Sequence, residues 1–249
     1  MYRNWIFDLY GTLIDIRTNE EKHMLWRRMA ELYSCTGAPY TAKELKEAYH
    51  RIAIEEEEDL RSATGVSLPE IELRRVFKRL FDEATGNSKL KEVFDAWIDD
   101  AANVFRILSR ERFRVYPGVH DTLDRLRSEG KRIFLLSNAQ AVFTETELRL
   151  AGLSDRFDGI RLSSDYGMKK PYPEFMLGLI REYSLYPKET VMVGNDVMSD
   201  MAIADACGID GILLNTDGRT PAKIADLVKQ SGIKREIRTI LSGKIEEIE

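Results

Sequence analysis

The chain has few cysteines and histidines and no long apolar run, and each shortage narrows the possible functions. Cys35 and Cys207 are the two cysteines among 249 residues, and their separation lacks the spacing of a metal site. We expect packed free thiols rather than a disulfide. The histidines (His23, His50, His120) are scattered and need no functional role. Because no apolar stretch is long enough to cross a bilayer, we expect no membrane partner.

The chain also lacks the excess of basic residues that general nucleic-acid binding requires. Lys and Arg total 37 against 42 Asp and Glu, which gives a net charge of -5. A nucleic-acid partner is therefore not expected, since phosphate binding depends on a basic surface that releases counterions. The first residues show no basic-then-apolar leader, and we expect a cytoplasmic protein. The sequence predicts nothing about oligomeric state.

Residues 17–112 carry apolar residues at three- and four-residue steps, a spacing typical of helices. Breaks fall at 36–39, 62–69 and 85–88. We therefore predict a bundle of four helices and no strand in this region. Thr41 and Ser67 are predicted N-caps, because an acidic residue follows three positions after each.

From Val115 onward, short apolar runs alternate with amphipathic stretches. The predicted strands are 132–136, 159–162, 191–193 and 211–214, and the predicted helices include 119–128, 144–150 and 174–183. This alternation predicts βαβ units and an open parallel sheet, an α/β fold. Residues 4–9 read as the first strand of that sheet, so the helical bundle is inserted after it. The chain returns to the sheet near 116–118.

Polar side chains follow the predicted strands at their carboxyl ends, where open parallel sheets bind ligands. They are Asp8, Ser137 with Asn138, Lys170 in a later loop, and Asp196 with Asp200. Asp8 comes directly after the apolar run Trp5-Ile6-Phe7 and opens the string Asp8-Leu9-Tyr10-Gly11-Thr12-Leu13. A carboxylate at the end of a buried strand is a candidate nucleophile on a rigid support.

These motifs together resemble the haloacid dehalogenase (HAD) superfamily. Residues 8–13 correspond to its first motif, Ser137 to the second, Lys170 to the third, and Asp196 with Asp200 to the fourth. The inserted bundle resembles the helical cap of that family. The resemblance covers the whole chain and implies a Rossmann-like core of residues 1–15 and 114–249 with a four-helix cap of residues 16–113.

The resemblance also implies roles for individual residues. Asp8 is the expected nucleophile, Lys170 balances its charge, and Thr12, Ser137 and Asn138 bind substrate. The expected cofactor is Mg²⁺, held by Asp8, Asp196 and the backbone carbonyl of Tyr10. Asp200 either joins this metal site or orients Lys170. Clustered carboxylates repel one another, so a divalent cation has a physical reason to bind there.

Tyr10 departs from the phosphatase branches of the family, which usually carry a second aspartate at this position. That aspartate protonates the leaving oxygen, whereas a tyrosine, with a pKa near 10, is a poor base at neutral pH. The same Asp-x-Tyr string resembles the metal-independent 2-haloacid dehalogenases. In that branch a cap arginine serves the substrate; Arg27 lies in a similar segment, but we expect it to face solvent.

Three functional hypotheses remain open from the sequence. The first is a Mg²⁺-dependent phosphatase that acts on a small phosphorylated metabolite through an aspartyl-phosphate, with Asp8, Tyr10 and Lys170 as candidate catalytic residues. The second is a 2-haloacid dehalogenase. The third is a binding or regulatory protein that kept the fold and lost turnover, since fold alone does not determine function. The first is favoured because Asp196 adds a carboxylate that a cation would balance.

Overall fold

The structure is a computed structural model that describes residues 2–86 and 91–248. The break predicted at 85–88 lies partly outside these residues. The strands are β1 (Asn4–Phe7), β2 (Ile14–Thr18), β3 (Arg110–Val115), β4 (Arg132–Ser137), β5 (Gly159–Leu162), β6 (Thr190–Gly194), β7 (Asp210–Leu214) and β8 (Ile237–Ile240). The helices are α1 (His23–Cys35), α2 (Ala42–Thr64), α3 (Leu73–Thr85), α4 (Lys91–Ser109), α5 (Val119–Ser128), α6 (Ala141–Leu150), α7 (Ser163–Tyr166), α8 (Pro173–Tyr183), α9 (Ala202–Ala206) and α10 (Pro221–Ser231).

A parallel sheet in the order β5-β4-β1-β6-β7-β8 forms the centre of the fold, which confirms the predicted α/β class. The first strand, β1, lies between β4 and β6, with Phe7 in register with Leu135 on one side and Val193 on the other. All four residues of β1 are buried, as expected for a strand covered on both faces. This central position puts the residue that follows β1 in the middle of the carboxyl edge of the sheet.

The helical insertion contains four helices, as predicted, but it is joined to the sheet through a ribbon that the periodicity did not predict. Strands β2 and β3 pair antiparallel, with Ile14 opposite Val115 and Arg17 opposite Arg112. The prediction that 17–112 contains no strand is therefore wrong at both ends of the range. The reason is that each strand is short and finds its partner about a hundred residues away, so no local pattern marks it. The domain boundaries at 15/16 and 113/114 fall within this ribbon and stay a prediction.

The two predicted N-caps have different outcomes. Thr41 begins α2 with a capping box, in which Thr41 Oγ1 accepts from the Glu44 amide at 3.2 Å and Glu44 Oε2 accepts from the Thr41 amide at 2.8 Å. Ser67 caps no helix, because α3 begins only after Glu72. Residues 68–70 instead pack against a loop of the sheet domain: the Lys169 amide donates to the Leu68 carbonyl at 3.2 Å.

The helical insertion has an aromatic interior of its own, separate from the apolar layers on the two faces of the sheet. The Phe105 ring lies 5.3 Å from the rings of both Tyr49 and Phe77, measured between centroids. Phe143 of α6 reaches into this cluster from the sheet domain and lies 6.5 Å from Phe77. The insertion is thus packed both within itself and onto α6.

Both cysteines are free thiols, as predicted. Cys207 is partly buried, whereas Cys35 is exposed at the end of α1, so the expectation of a packed thiol is wrong there. Across the described residues, the helices are too short or too polar to span a membrane. The cytoplasmic location stays a prediction.

The aromatic cluster predicts how the insertion responds to loss of one ring. Phe105→Ala should lower the free energy of unfolding by about 3–5 kcal/mol, because it removes a buried ring and leaves a cavity. Ile107→Ala on the same helix is the matched control: its side chain is 59% exposed, and the change should cost less than about 0.5 kcal/mol. Urea unfolding measures both; equal effects would contradict the packing described.

Candidate active site

Asp8 is held in place by the backbone on both sides of it. Its amide donates to the Val193 carbonyl at 3.0 Å, which extends the β1–β6 ladder by one residue. The chain then turns sharply at Gly11, whose φ of +86° favours glycine. A Cβ atom at Gly11 would also lie 2.4 Å from the Asn195 side chain. The Asp8 carboxylate therefore stands at a fixed point on the sheet edge.

The Asp8 carboxylate accepts hydrogen bonds on both of its oxygens. Oδ1 accepts from Ser137 Oγ at 3.0 Å and from Lys170 Nζ at 2.7 Å, and Oδ2 accepts from Thr12 Oγ1 at 3.2 Å. The structure thus brings together four predicted residues from three separate motifs: Asp8 and Thr12 of the first, Ser137 of the second and Lys170 of the third. These contacts fix the rotation of the carboxylate, which is what a nucleophile in a defined line of attack requires.

Lys170 is fully engaged in this buried cluster. Its Nζ donates to Asp8 Oδ1 and Asp200 Oδ1, each at 2.7 Å, and to the Leu136 carbonyl at 2.9 Å. An ammonium group has three donors, so all are used. Burial opposes the charge, but the carboxylates of Asp200 and Asp8 outweigh it and raise the pKa of Lys170 above its usual value. Lys170 therefore stays cationic beside Asp8 at neutral pH.

Asp200 is placed to orient Lys170. Its Oδ1 binds the Lys170 ammonium, and its Oδ2 accepts from the Asp196 amide at 3.0 Å. Burial raises the pKa of Asp200 to about 6, against the lowering effect of Lys170 and with a further increase from Asp8. Gly194 makes room for this side chain, since a Cβ there would lie 2.2 Å from Asp200 Oδ2. Of the two roles predicted for Asp200, the contacts favour orientation of Lys170.

Two other predicted residues, Asn138 and Asp196, bind nearby backbone groups. The Asn138 side chain binds the backbone of Lys170, accepting from its amide at 2.7 Å and donating to its carbonyl at 3.1 Å. Through these two contacts Asn138 holds the lysine loop, and it also lines the cavity described below, so its role in substrate binding stays a prediction. Asp196 Oδ1 accepts from the amides of Met198 and Ser199 at 2.6 and 3.0 Å and so caps the helical turn that follows β6.

A cavity of about 240 Å³ lies above Asp8 at the carboxyl edge of the sheet. Besides predicted residues, it is lined by Asn195, Ser199, Asp217 and Arg219, which the motif search did not identify. Asp217 and Arg219 follow the carboxyl end of β7, so the strand-end rule that identified Asp8 could also have identified them. Of the described residues, those lining the cavity all belong to the predicted core, and none lies in 16–113.

The charges around this cavity fit a bound Mg²⁺. The lining includes four aspartates (Asp8, Asp196, Asp200, Asp217) but only one lysine and one arginine (Lys170, Arg219), a net charge of −2. Magnesium prefers oxygen ligands and usually takes only one or two carboxylates, with water and phosphate oxygens completing its shell. It thus needs no cluster of three ligating side chains, and within residues 2–86 and 91–248 none occurs. Asp8 and Asp196 remain the predicted carboxylate ligands.

The Tyr10 hydroxyl is directed at helix α6. It donates to a Glu147 carboxylate oxygen and lies 3.1 Å from Thr144 Oγ1. Burial raises the pKa of Tyr10 far above its usual value, and the neighbouring Glu147 charge raises it further. A buried phenol that keeps its proton does not act as a base at neutral pH. A catalytic role of Tyr10 stays a prediction, and these contacts argue against a role as a base.

Glu147 is the centre of a buried ionic cluster that surrounds Tyr10. Arg106 at the end of α4 donates to it through Nε at 2.8 Å and Nη2 at 3.2 Å, and Arg110 Nη1 lies 3.5 Å from the same carboxylate. The Arg106 guanidinium also lies 5.4 Å from the centre of the Tyr10 ring. The loop of residues 8–13, helix α6 and the base of the helical insertion are therefore connected at one point. No sequence motif marked Glu147, Arg106 or Arg110.

Arg27 faces solvent, as predicted. It belongs to α1, its side chain is 48% exposed, and its Nε lies 3.8 Å from Glu31 on the next turn. The arginine that a 2-haloacid dehalogenase would need from this segment is thus not directed into the cavity.

The Glu147 cluster makes a prediction about stability. Glu147→Gln should lower the free energy of unfolding by about 3 kcal/mol, because it leaves the Arg106 and Arg110 charges without their buried partner. Glu145→Gln, an exposed position on the same helix, is the matched control and should be close to neutral. Denaturant unfolding of the two variants measures the difference; a neutral Glu147→Gln would mean that the cluster contributes no stability.

Comparison with known proteins agrees with this architecture. A family model described as haloacid dehalogenase-like hydrolase matches residues 2–208. The chain is 30% identical over 134 residues to a phosphoglycolate phosphatase of Nitrosococcus oceani, a match that covers 53% of this chain and 59% of that protein. It is 26% identical over 139 residues to a phosphoserine phosphatase of Thermus thermophilus, covering 55% of this chain and 52% of that protein. The chain thus matches little more than half the length of these relatives.

Among solved structures, the fold is similar to a 2-haloacid dehalogenase of Pseudomonas syringae. The TM-score is 0.63 with 20% identity, and the alignment covers 92% of this chain and 99% of that one. At this identity the likeness concerns the fold alone. Since the family model matches most of its length, the chain belongs to the haloacid dehalogenase-like hydrolases.

Proposed function

We propose that this hydrolase is a Mg²⁺-dependent phosphatase that acts on a small phosphorylated metabolite through an aspartyl-phosphate at Asp8. The observation that carries the proposal is the Asp8 carboxylate, fixed by Ser137, Lys170 and Thr12 and facing a small cavity of net negative charge. A fixed carboxylate beside a cation suits attack on a phosphoryl group once its negative oxygens are neutralised. The relatives named as phosphatases of small metabolites support the same reaction class.

The reaction proceeds in two displacements. An Asp8 oxygen forms a bond to phosphorus, and the bond between phosphorus and the ester oxygen breaks, releasing the alcohol after it takes a proton from water. Water then attacks the phosphorus of the aspartyl-phosphate, the bond to Asp8 breaks, and inorganic phosphate leaves. Lys170 keeps its positive charge throughout and offsets the negative charge that the two carboxylates and the phosphate bring together.

Asp8 and Asp196 would hold the Mg²⁺, with the Tyr10 carbonyl as a further oxygen ligand. When bound, the metal supplies positive charge to the phosphoryl oxygens and offsets the excess of carboxylates in the cavity. Other residues position these groups. Asp200 holds Lys170, and Asn138 holds the lysine loop. Ser137 and Thr12 hold the Asp8 carboxylate.

The position of Tyr10 has a consequence for the rate. A positioned general acid and base typically accelerates a reaction by about a hundred- to ten-thousand-fold. Because the Tyr10 hydroxyl is buried against Glu147, this chain lacks that help at the position where phosphatases of the family carry it. We therefore propose slow turnover, with the leaving oxygen protonated by water.

A 2-haloacid dehalogenase is the second candidate, and Tyr10 is the observation in its favour. In that reaction Asp8 would displace halide from carbon, which requires no proton and no metal. Two observations argue against a dehalogenase. The cavity has more aspartates than cations, which a reaction without metal would leave unbalanced, and Arg27 faces solvent rather than the cavity. The third candidate, a binding protein without turnover, would keep the same Asp8 contacts.

Phosphate release tests the proposal directly. A panel of small phosphomonoesters should yield phosphate with Mg²⁺, lose that activity in chelator, and recover it when excess Mg²⁺ is returned. Asp8→Asn should lower turnover at least about a thousandfold, because the nucleophile is lost. Asp226→Asn, an exposed position on α10, is the matched control and should retain activity.

Other outcomes of the same panel decide between the candidates. Halide release from a short 2-halo acid in the presence of chelator, without phosphatase activity, would replace the proposal with a dehalogenase. Mg²⁺ binding without turnover of either substrate class would replace it with a non-catalytic protein.

A further inference from the structure

Arg219 lines the Asp8 cavity without a role in the reaction described above. It lies in the loop of residues 215–219 between β7 and α10, which we call the 215–219 loop. Among the described lining residues, Lys170 is the other cation, and its three donors are spent on Asp8, Asp200 and the Leu136 carbonyl. A second anionic group in this cavity would therefore meet Arg219.

The 215–219 loop is hydrogen-bonded to the loop of residues 8–13 that carries Asp8. Asn215 accepts from the Arg219 amide at 2.8 Å and donates to the Arg219 carbonyl at 2.9 Å, which closes the loop on itself. Thr216 Oγ1 donates to the Gly11 carbonyl at 2.5 Å, three residues from Asp8. These contacts fix the backbone of Arg219 and tie its loop to the loop that follows β1.

The guanidinium group of Arg219 is oriented but not fully occupied. Its Nη1 donates to the Asn195 carbonyl at 2.8 Å, and its Nη2 pairs with Asp217 at 2.6 Å. An arginine has five N–H donors in a planar fork, so donors remain after these two contacts. The side chain is 26% exposed, and Arg219 is one of the residues that line the cavity. The Asp217 carboxylate pairs with Nη2 and so fixes the orientation of the guanidinium plane.

We infer that Arg219 binds a carboxylate of the substrate, so that the preferred substrates are small phosphorylated carboxylic acids. The inference rests on the proposed phosphatase function and adds a specificity-determining residue to it. A planar carboxylate fits the guanidinium fork better than a hydroxyl does. Asp8 and Arg219 line the same cavity of about 240 Å³, which suits a substrate with a short link between its phosphoryl group and its carboxylate. On this account the core rather than the helical insertion selects the substrate.

A matched pair of substrates tests the inference. 2-Phosphoglycolate carries a carboxylate, and 2-hydroxyethyl phosphate carries a hydroxymethyl group in its place. The protein should prefer 2-phosphoglycolate, and Arg219→Met should lower the ratio of the two kcat/KM values by about 10- to 100-fold, mainly through KM, because a charged hydrogen-bonded pair is lost. Arg219→Lys keeps the charge without the fork and should recover part of the preference. Arg181→Met, an exposed control on α8, should leave the ratio unchanged.

The outcomes separate this inference from the proposed function. Equal loss on both substrates in Arg219→Met would mean that the residue only supports the loop, and a wild-type preference for the hydroxymethyl compound would overturn the inference outright. If the wild type hydrolyses other phosphomonoesters but neither of these two, the inference is overturned and the proposed function stands. If it hydrolyses no phosphomonoester of the panel, the proposed function fails, and calorimetric binding of 2-phosphoglycolate with Mg²⁺ then tests Arg219. Binding weakened by Arg219→Met would support the carboxylate site, and binding unchanged by it would refute that site.

Discussion

The site depends on one buried ammonium group that lies between two carboxylates. Lys170 contacts Asp8 and Asp200 at 2.7 Å each, and both acids lie in the interior, where an unpaired charge is costly. Removal of one partner from such a group typically costs about 3–5 kcal/mol, because it leaves a buried charge unpaired. The same contact orients the Asp8 carboxylate and keeps a positive charge beside it. Stability and geometry of the site thus have a common origin.

The parallel sheet makes this contact possible. Asp8, Ser137 and Asp200 come from or just after the carboxyl ends of β1, β4 and β6, which are neighbours in the sheet. Lys170 reaches the same edge from the loop after α7, and Asn138 fastens that loop to the end of β4. Each residue is thus carried by a buried strand or tied to one, which fixes the relative positions of the side chains.

The sequence predicts the parts of this architecture that repeat a local pattern. Helix α5 and strand β5 lie where periodicity places them, and Asp8, Ser137, Lys170 and Asp200 converge as their strand-end positions suggest. Their chemical roles stay predictions. The same rule extends to Arg219, which follows β7, although no familiar motif draws attention to it.

Features that rest on long-range pairing could not be read from the chain. The β2–β3 ribbon joins residues about a hundred positions apart, and β8 is a short edge strand after the last motif. Glu147 looks like an ordinary helical glutamate until α4 and β3 bring Arg106 and Arg110 to it. The motif predicts only the position of Tyr10 in the sequence. The partner of its hydroxyl is Glu147 of α6, which no local pattern indicates. The partners of such side chains are determined by tertiary contacts, which the local sequence does not predict.

Beryllium fluoride binding is the measurement that tests the central claim most directly, because it needs no knowledge of the natural substrate. This anion forms an adduct with a carboxylate nucleophile that resembles an acyl phosphate. Fluorine NMR should show bound resonances for the wild type with Mg²⁺, and no such resonances for Asp8→Asn or in chelator. Bound resonances that persist in Asp8→Asn, or their absence from the wild type with Mg²⁺, would contradict the assignment of Asp8 as a phosphoryl-accepting nucleophile.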